Sequence, residues 1–111
     1  MNKSTLKALK GSIEKWEKIV AGTGLDRGAH NCNLCRRFFK LCSINCCIGC
    51  PVNTQSGSGC MGTPFDEWMK YEGLLPHNDR GGYDFKGNVK AKNTAHRELK
   101  FLKSLLPAGE Q

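Results

Sequence analysis

Seven cysteines lie between residues 32 and 60 of a 111-residue chain, and no cysteine occurs elsewhere. They run Cys32-x-x-Cys35, then Cys42, Cys46, Cys47 and Cys50, then Cys60. No other feature restricts the fold as strongly. A chain of this length buries only about 65% of its unfolded surface, which leaves a thin margin of stability. A cross-link within the cysteine window is therefore expected.

Its chemistry follows from the compartment. The opening stretch MNKSTLKALKGSIEKWEKIV is polar and charged and has no apolar core of the secretory kind. Apolar runs are only a few residues long, far below the roughly 20 that span a bilayer. The expectation is a protein of the reducing cytosol that does not enter a membrane. There, a dense set of thiols binds metal rather than forming disulfides, and the odd number of cysteines points the same way.

Zinc takes four tetrahedral ligands, and Cys-x-x-Cys lets two sulfurs on one tight turn reach one ion while the amides of the turn donate to them. Two such turns are present, Cys32 to Cys35 and Cys47 to Cys50, with 11 residues between them. The expected set is Cys32, Cys35, Cys47 and Cys50 around one structural zinc ion. Cys60, flanked by Gly57, Gly59 and Gly62, is an alternative to Cys47. Two other arrangements stay open. One is a second ion on Cys42, Cys46, Cys60 and His30. The other is an iron–sulfur cluster, suggested by Cys50-Pro51 although the regular triple spacing of such clusters is missing. A redox role for Cys47-Ile48-Gly49-Cys50 would require a βαβ pattern around it, and no strand alternation is visible.

Apolar residues at three- and four-residue steps, Leu6, Leu9, Ile13, Trp16 and Val20, predict an N-terminal helix. Gly11 weakens its middle and Ser12 is a suitable N-cap, so the helix is placed at 12–21 with residues 1–11 frayed or forming a separate turn. The glycine-rich stretches 22–31 and 51–63 read as loops around a metal-binding region at 30–62. Thr63-Pro64-Phe65-Asp66-Glu67 is a helix start, giving a helix at 64–72 with Phe65, Trp68 and Met69 on one face. Residues 74–90 read as a loop. A last helix at 92–106 has one apolar arc, which contains Glu98, and one cationic side. The expected fold is a mostly α, small, irregular, metal-stapled single domain, with a zinc-knuckle or ribbon-like cysteine cluster packed between three helices.

Net charge is +7, from 17 Lys and Arg against 10 Asp and Glu. Arg36, Arg37 and Lys40 lie between the two cysteine turns, and no acid occurs from residue 27 to residue 65. Lys92, Arg97, Lys100 and Lys103 line the last helix, and Lys3, Lys7 and Lys10 of the N-terminal segment fall on roughly one helical side. Such a surface binds phosphates. The same pattern also suits a solvated or protein-binding face, with Arg36 to Lys40 offsetting the negative charge of a four-thiolate zinc centre. His77-Asn78-Asp79 faintly suggests a metal nuclease, but the second histidine and the hairpin of such a site are missing. No Ser/His/Asp set, phosphate loop or paired carboxylates can be identified. The expectation is a protein without catalytic residues.

Further elements fit a known group. Ser12 to Val20 followed by Gly22-Thr23-Gly24, Cys32-x-x-Cys35, Cys47-x-x-Cys50-Pro51-Val52, Cys60-x-Gly62-Thr63-Pro64-Phe65 and the closing Glu98 to Pro107 together resemble small cysteine-rich proteins encoded by tailed bacteriophages. The resemblance covers most of the chain. It implies a phage origin, expression in bacterial cytoplasm and zinc binding by Cys32, Cys35, Cys47, Cys50 and Cys60, and it carries no activity with it. The chain departs from the group's pattern in Cys42, Cys46 and the loop 74–90. The function expected is that of an accessory zinc-binding protein that contacts nucleic acid, or a host nucleic-acid-processing protein, through its basic surface. The second reading is a protein-interaction module that inhibits or redirects a host enzyme, and the third is a metal-dependent nuclease.

Overall fold

The computed structural model describes residues 1–27, 31–38, 49–57, 60, 62–72, 84–85 and 87–110. The described residues form five helices and no strand: α1 (Lys3–Ala21), α2 (Asn33–Phe38), α3 (Pro51–Ser56), α4 (Pro64–Glu72) and α5 (Val89–Ser104), followed by a single 3-10 turn at Ala108–Glu110. None of these helices is long and apolar enough to cross a membrane.

α1 begins well before Ser12, so residues 3–11 are part of one continuous helix rather than frayed or a separate turn. Asn2 caps it, accepting the Thr5 amide at 2.8 Å. Gly11 does not break the helix because the turn is braced from outside. Asn33 lies against Gly11, and a Cβ there would collide with the Asn33 side-chain amide. Ser12 is buried instead of capping, and its Oγ accepts the Leu34 amide at 3.3 Å. At the far end Gly22 takes a left-handed φ of 85° and its amide bonds back to Ile19 and Lys18.

α4 falls where its punctuation placed it, with Pro64 as its first residue and Asp66 and Glu67 in its first turn. Trp68 is fully buried and meets Trp16 edge to face at 5.3 Å, and Phe65 does the same at 6.0 Å. Met69 does not share that face. It is 49% exposed, because one residue beyond Trp68 is about 100° around the helix and away from the core.

α5 starts at Val89, earlier than expected, behind an Asn88 cap that accepts the Ala91 amide at 3.0 Å. Residues 89 and 90 thus belong to helix rather than to the expected loop, most of which lies outside the described residues. Ala91 and Ala95 are wholly buried and let α5 approach α1 and α4 closely. With Leu102 they close a core of Leu9, Ile13, Trp16, Ile19 and Trp68.

The cysteine region also contains helix. α3 occupies part of 51–63, which composition had marked as loop, running from Pro51 at its first position to Gly57 at φ 76°. That pairing of Pro at the start and Gly past the end is helix punctuation within a sequence of loop composition.

Candidate functional site

Cys32 and Cys50 occupy equivalent places. Each lies immediately before a short helix, and its carbonyl accepts the first helical hydrogen bond: the Arg36 amide on Cys32 and the Thr54 amide on Cys50, both at 2.9 Å. Cys35 then falls in the first turn of α2, and its amide donates to Cys32 Sγ at 3.4 Å. Such an amide-to-sulfur bond is what a metal-binding Cys-x-x-Cys turn requires. The Ser12 hydroxyl lies 3.6 Å from the same sulfur. The Cys35 side chain, the Cys35 amide, Ser12 and the charge of Lys15 together hold the Cys32 thiol down at about 5, against the opposing effect of burial. These contacts favour the thiolate, the form that binds metal.

The remaining cysteines are less fully placed. Cys50 is buried, while Cys32 and Cys60 are half-buried against the core. Thr63, just before α4, uses its hydroxyl to donate back to the Cys60 carbonyl. Cys42, Cys46, Cys47 and His30 lie outside the described residues, as do Lys40, His77 and Asp79. Among the described residues no group of three or more His, Cys, Asp or Glu side chains is gathered around one point as a metal would need. The structure brings Cys32 and Cys35 together in one turn, where the amide and the side chain of Cys35 both bond to the Cys32 sulfur.

Beneath this turn lies a buried ionic network that sequence reasoning missed. Asp26, expected as a turn residue in the loop 22–31, is fully buried. Its carboxylate accepts Lys15 Nζ at 2.8 Å and the Trp68 indole N–H at 2.9 Å. Lys15 is itself 8% exposed and stands over the Trp16 ring. Glu98 is buried close by. Burial, and then the negative charge of Cys32, push its carboxyl up to about 8, with Asp26 adding to the rise and Lys15 opposing it. The one sequence signal for this network was Glu98 in the apolar arc of its helix. Asp26 and Lys15 carried no such signal.

The basic residues divide. Arg97 is held by Glu67 through two contacts at 2.8 and 2.9 Å and by Thr94 at 3.1 Å, which occupies the fork expected to meet a phosphate. Arg37 stands over the Phe38 ring at 5.3 Å, and Arg36 beside it is exposed on α2. Lys92, Lys100 and Lys103 are exposed on α5. With His96 they fall within about 80° of the helix circumference. The only acid on α5 is Glu98, which points inward, so the exposed face of the helix bears no carboxylate.

No protein-family model, curated protein or solved structure matches this chain.

Proposed function

We propose that this is a zinc-stapled accessory protein of a tailed phage, working in bacterial cytoplasm, that contacts nucleic acid or a host nucleic-acid machine through its basic surface and catalyses no reaction. Zinc would be held by Cys32 and Cys35 together with two of Cys47, Cys50 and Cys60, and would supply a fixed tetrahedral cross-link. The Cys32–Cys35 turn supports that part of the reading.

The observation that carries the nucleic-acid part is the carboxylate-free face of α5. Lys92, Lys100 and Lys103 stand in one row spanning about 16 Å along the helix, with no acid on the same helix to neutralise them. A face that only needed solvation would do equally well with mixed charges, as on α1, where Lys18 pairs with Glu14 at 3.1 Å. A row of like charges along one helix suits a polyanion whose charges repeat along a line.

The test is binding of short labelled single-stranded and duplex DNA and RNA to the zinc-loaded protein at salt concentrations from about 50 to 200 mM. Three to four phosphate contacts give a log–log salt slope of about −2 to −4. No binding at the upper end of that range would leave the row as a solvated face and favour the protein-interaction reading.

A further inference from the structure

Between α1 and the C-terminal end of α5 lies a groove of about 580 Å³, within the roughly 300–1,000 Å³ typical of sites that hold small organic groups. Its walls divide by chemistry. Ile13, buried, and Leu106, half-buried, give it apolar surface. Lys100 and Lys103 line it from α5, and they belong to the cationic row already described. α1 contributes Lys10 and Glu17. Lys10 is engaged by Glu110 of the C-terminal turn at 2.6 Å, whereas none of the ion pairs among the described residues involves Glu17.

Apolar surface beside a row of phosphate-binding lysines offers nothing to a duplex, whose bases stay stacked and paired. A single strand differs, because it can lay its phosphates along the lysines and turn one base inward. An acceptor carboxylate at the groove then selects among bases. Cytosine, adenine and guanine carry an exocyclic amino group that can donate to it, whereas the single imide N–H of thymine and uracil is flanked by two carbonyl oxygens that repel a carboxylate.

We infer that this groove is a nucleobase subsite for single-stranded nucleic acid, in which a base rests on Ile13 and Leu106, Glu17 accepts from its amino group, and Lys100 and Lys103 hold the flanking phosphates. The inference rests on the nucleic-acid reading above and adds to it the form of the ligand and a base preference.

The experiment measures fluorescence anisotropy of the zinc-loaded full chain with four probes of equal length at one salt concentration: oligo(dC), oligo(dT), an abasic deoxyribose-phosphate strand and a mixed-sequence duplex. Oligo(dC) is expected to bind at least about 5-fold more tightly than the abasic strand, the equivalent of about 1 kcal/mol of base contact, and more tightly than oligo(dT) or the duplex. Glu17→Gln, at an exposed position on α1, is expected to raise affinity for every probe by removing a negative charge. It should also bring oligo(dC) and oligo(dT) to within about twofold of each other with the salt slope unchanged. Equal binding of all four probes with a steep salt slope would overturn the base subsite and leave the phosphate-binding surface standing. Absence of binding to any probe would overturn both. A dC-to-dT preference that survives Glu17→Gln would remove Glu17 from the site.

Discussion

α1, α4 and α5 meet across a continuous apolar seam of Leu9, Ile13, Trp16, Ile19, Trp68, Ala91, Ala95 and Leu102. α2 and α3 have six residues each and together bury only Leu34, Pro51 and Val52. Isolated helices shorter than about 12–15 residues are marginal in water, so neither short helix stands on its own propensity. α2 is held from outside, by Ser12 on the Leu34 amide, by Asn33 against Gly11 and by the hydrogen bonds around Cys32. α1, α4 and α5 supply most of the core, and the two short helices of the cysteine arm add Leu34 and Val52 at its edge and take their order from it and from these local hydrogen bonds. A metal is therefore expected to matter far more to the arm than to the frame.

Removing the staple should give the largest effect and test the contrast directly. Cys32→Ser is expected to lower bound zinc from one equivalent to none and to release the arm, since the binding free energy of a structural zinc is largely folding free energy, of order 10 kcal/mol. Metal content and residue-resolved amide exchange would be measured together, with α2 losing protection while α1 and α5 keep theirs. Stoichiometric zinc and an unchanged melt in this variant would take Cys32 out of the ligand set. Loss of protection throughout the chain would show that frame and arm form one cooperative unit.

The next effect lies in the frame. Asp26→Leu leaves the Lys15 ammonium buried without its carboxylate and is expected to cost about 3–5 kcal/mol in urea unfolding. Combining it with Lys15→Met should restore part of that loss. Recovery stays incomplete because the Trp68 indole N–H has also lost its acceptor. If the double variant is no more stable than the single one, the ion pair is not what Asp26 contributes.

The smallest effect is a pH dependence. The Glu98 carboxyl is raised from 4.5 to about 8 in the folded protein, chiefly by burial. Between those values the folded state keeps a proton that the unfolded state releases, so this group's contribution is complete below pH 4.5 and is lost as pH rises to about 8. Glu98→Gln should match the wild type below pH 4.5 and gain on it steadily up to pH 8. Stability curves of the two metal-free proteins that run parallel across this window would show that Glu98 ionises freely in the fold.

Features governed by a few neighbouring residues were legible in the sequence. The helix at 64–72 follows from Pro64 and the two acids behind it, and the closeness of Cys32 and Cys35 follows from a spacing of three residues across one turn. The cationic side of α5 and the inward place of Glu98 follow from 3.6-residue periodicity. Where composition and punctuation disagreed, composition misled. Residues 51–63 look like loop, yet Pro51 and Gly57 bracket a helical turn.

What the sequence by itself determined is thus the set of chemical groups and their local geometry: a thiol-rich window, a Cys-x-x-Cys turn, amphipathic helices and an excess of positive charge. Tertiary structure alone decided how those groups are used. It carried α1 through Gly11 because Asn33 arrives there, turned Asp26 from a loop residue into a buried partner of Lys15 and Trp68, and paired the exposed Arg97 with Glu67. Asp26 and Trp68 lie 42 residues apart, and Glu67 and Arg97 lie 30 apart. Backbone preference and side-chain periodicity act over a turn or two, whereas such pairings are set only when packed helices bring distant residues to the same face.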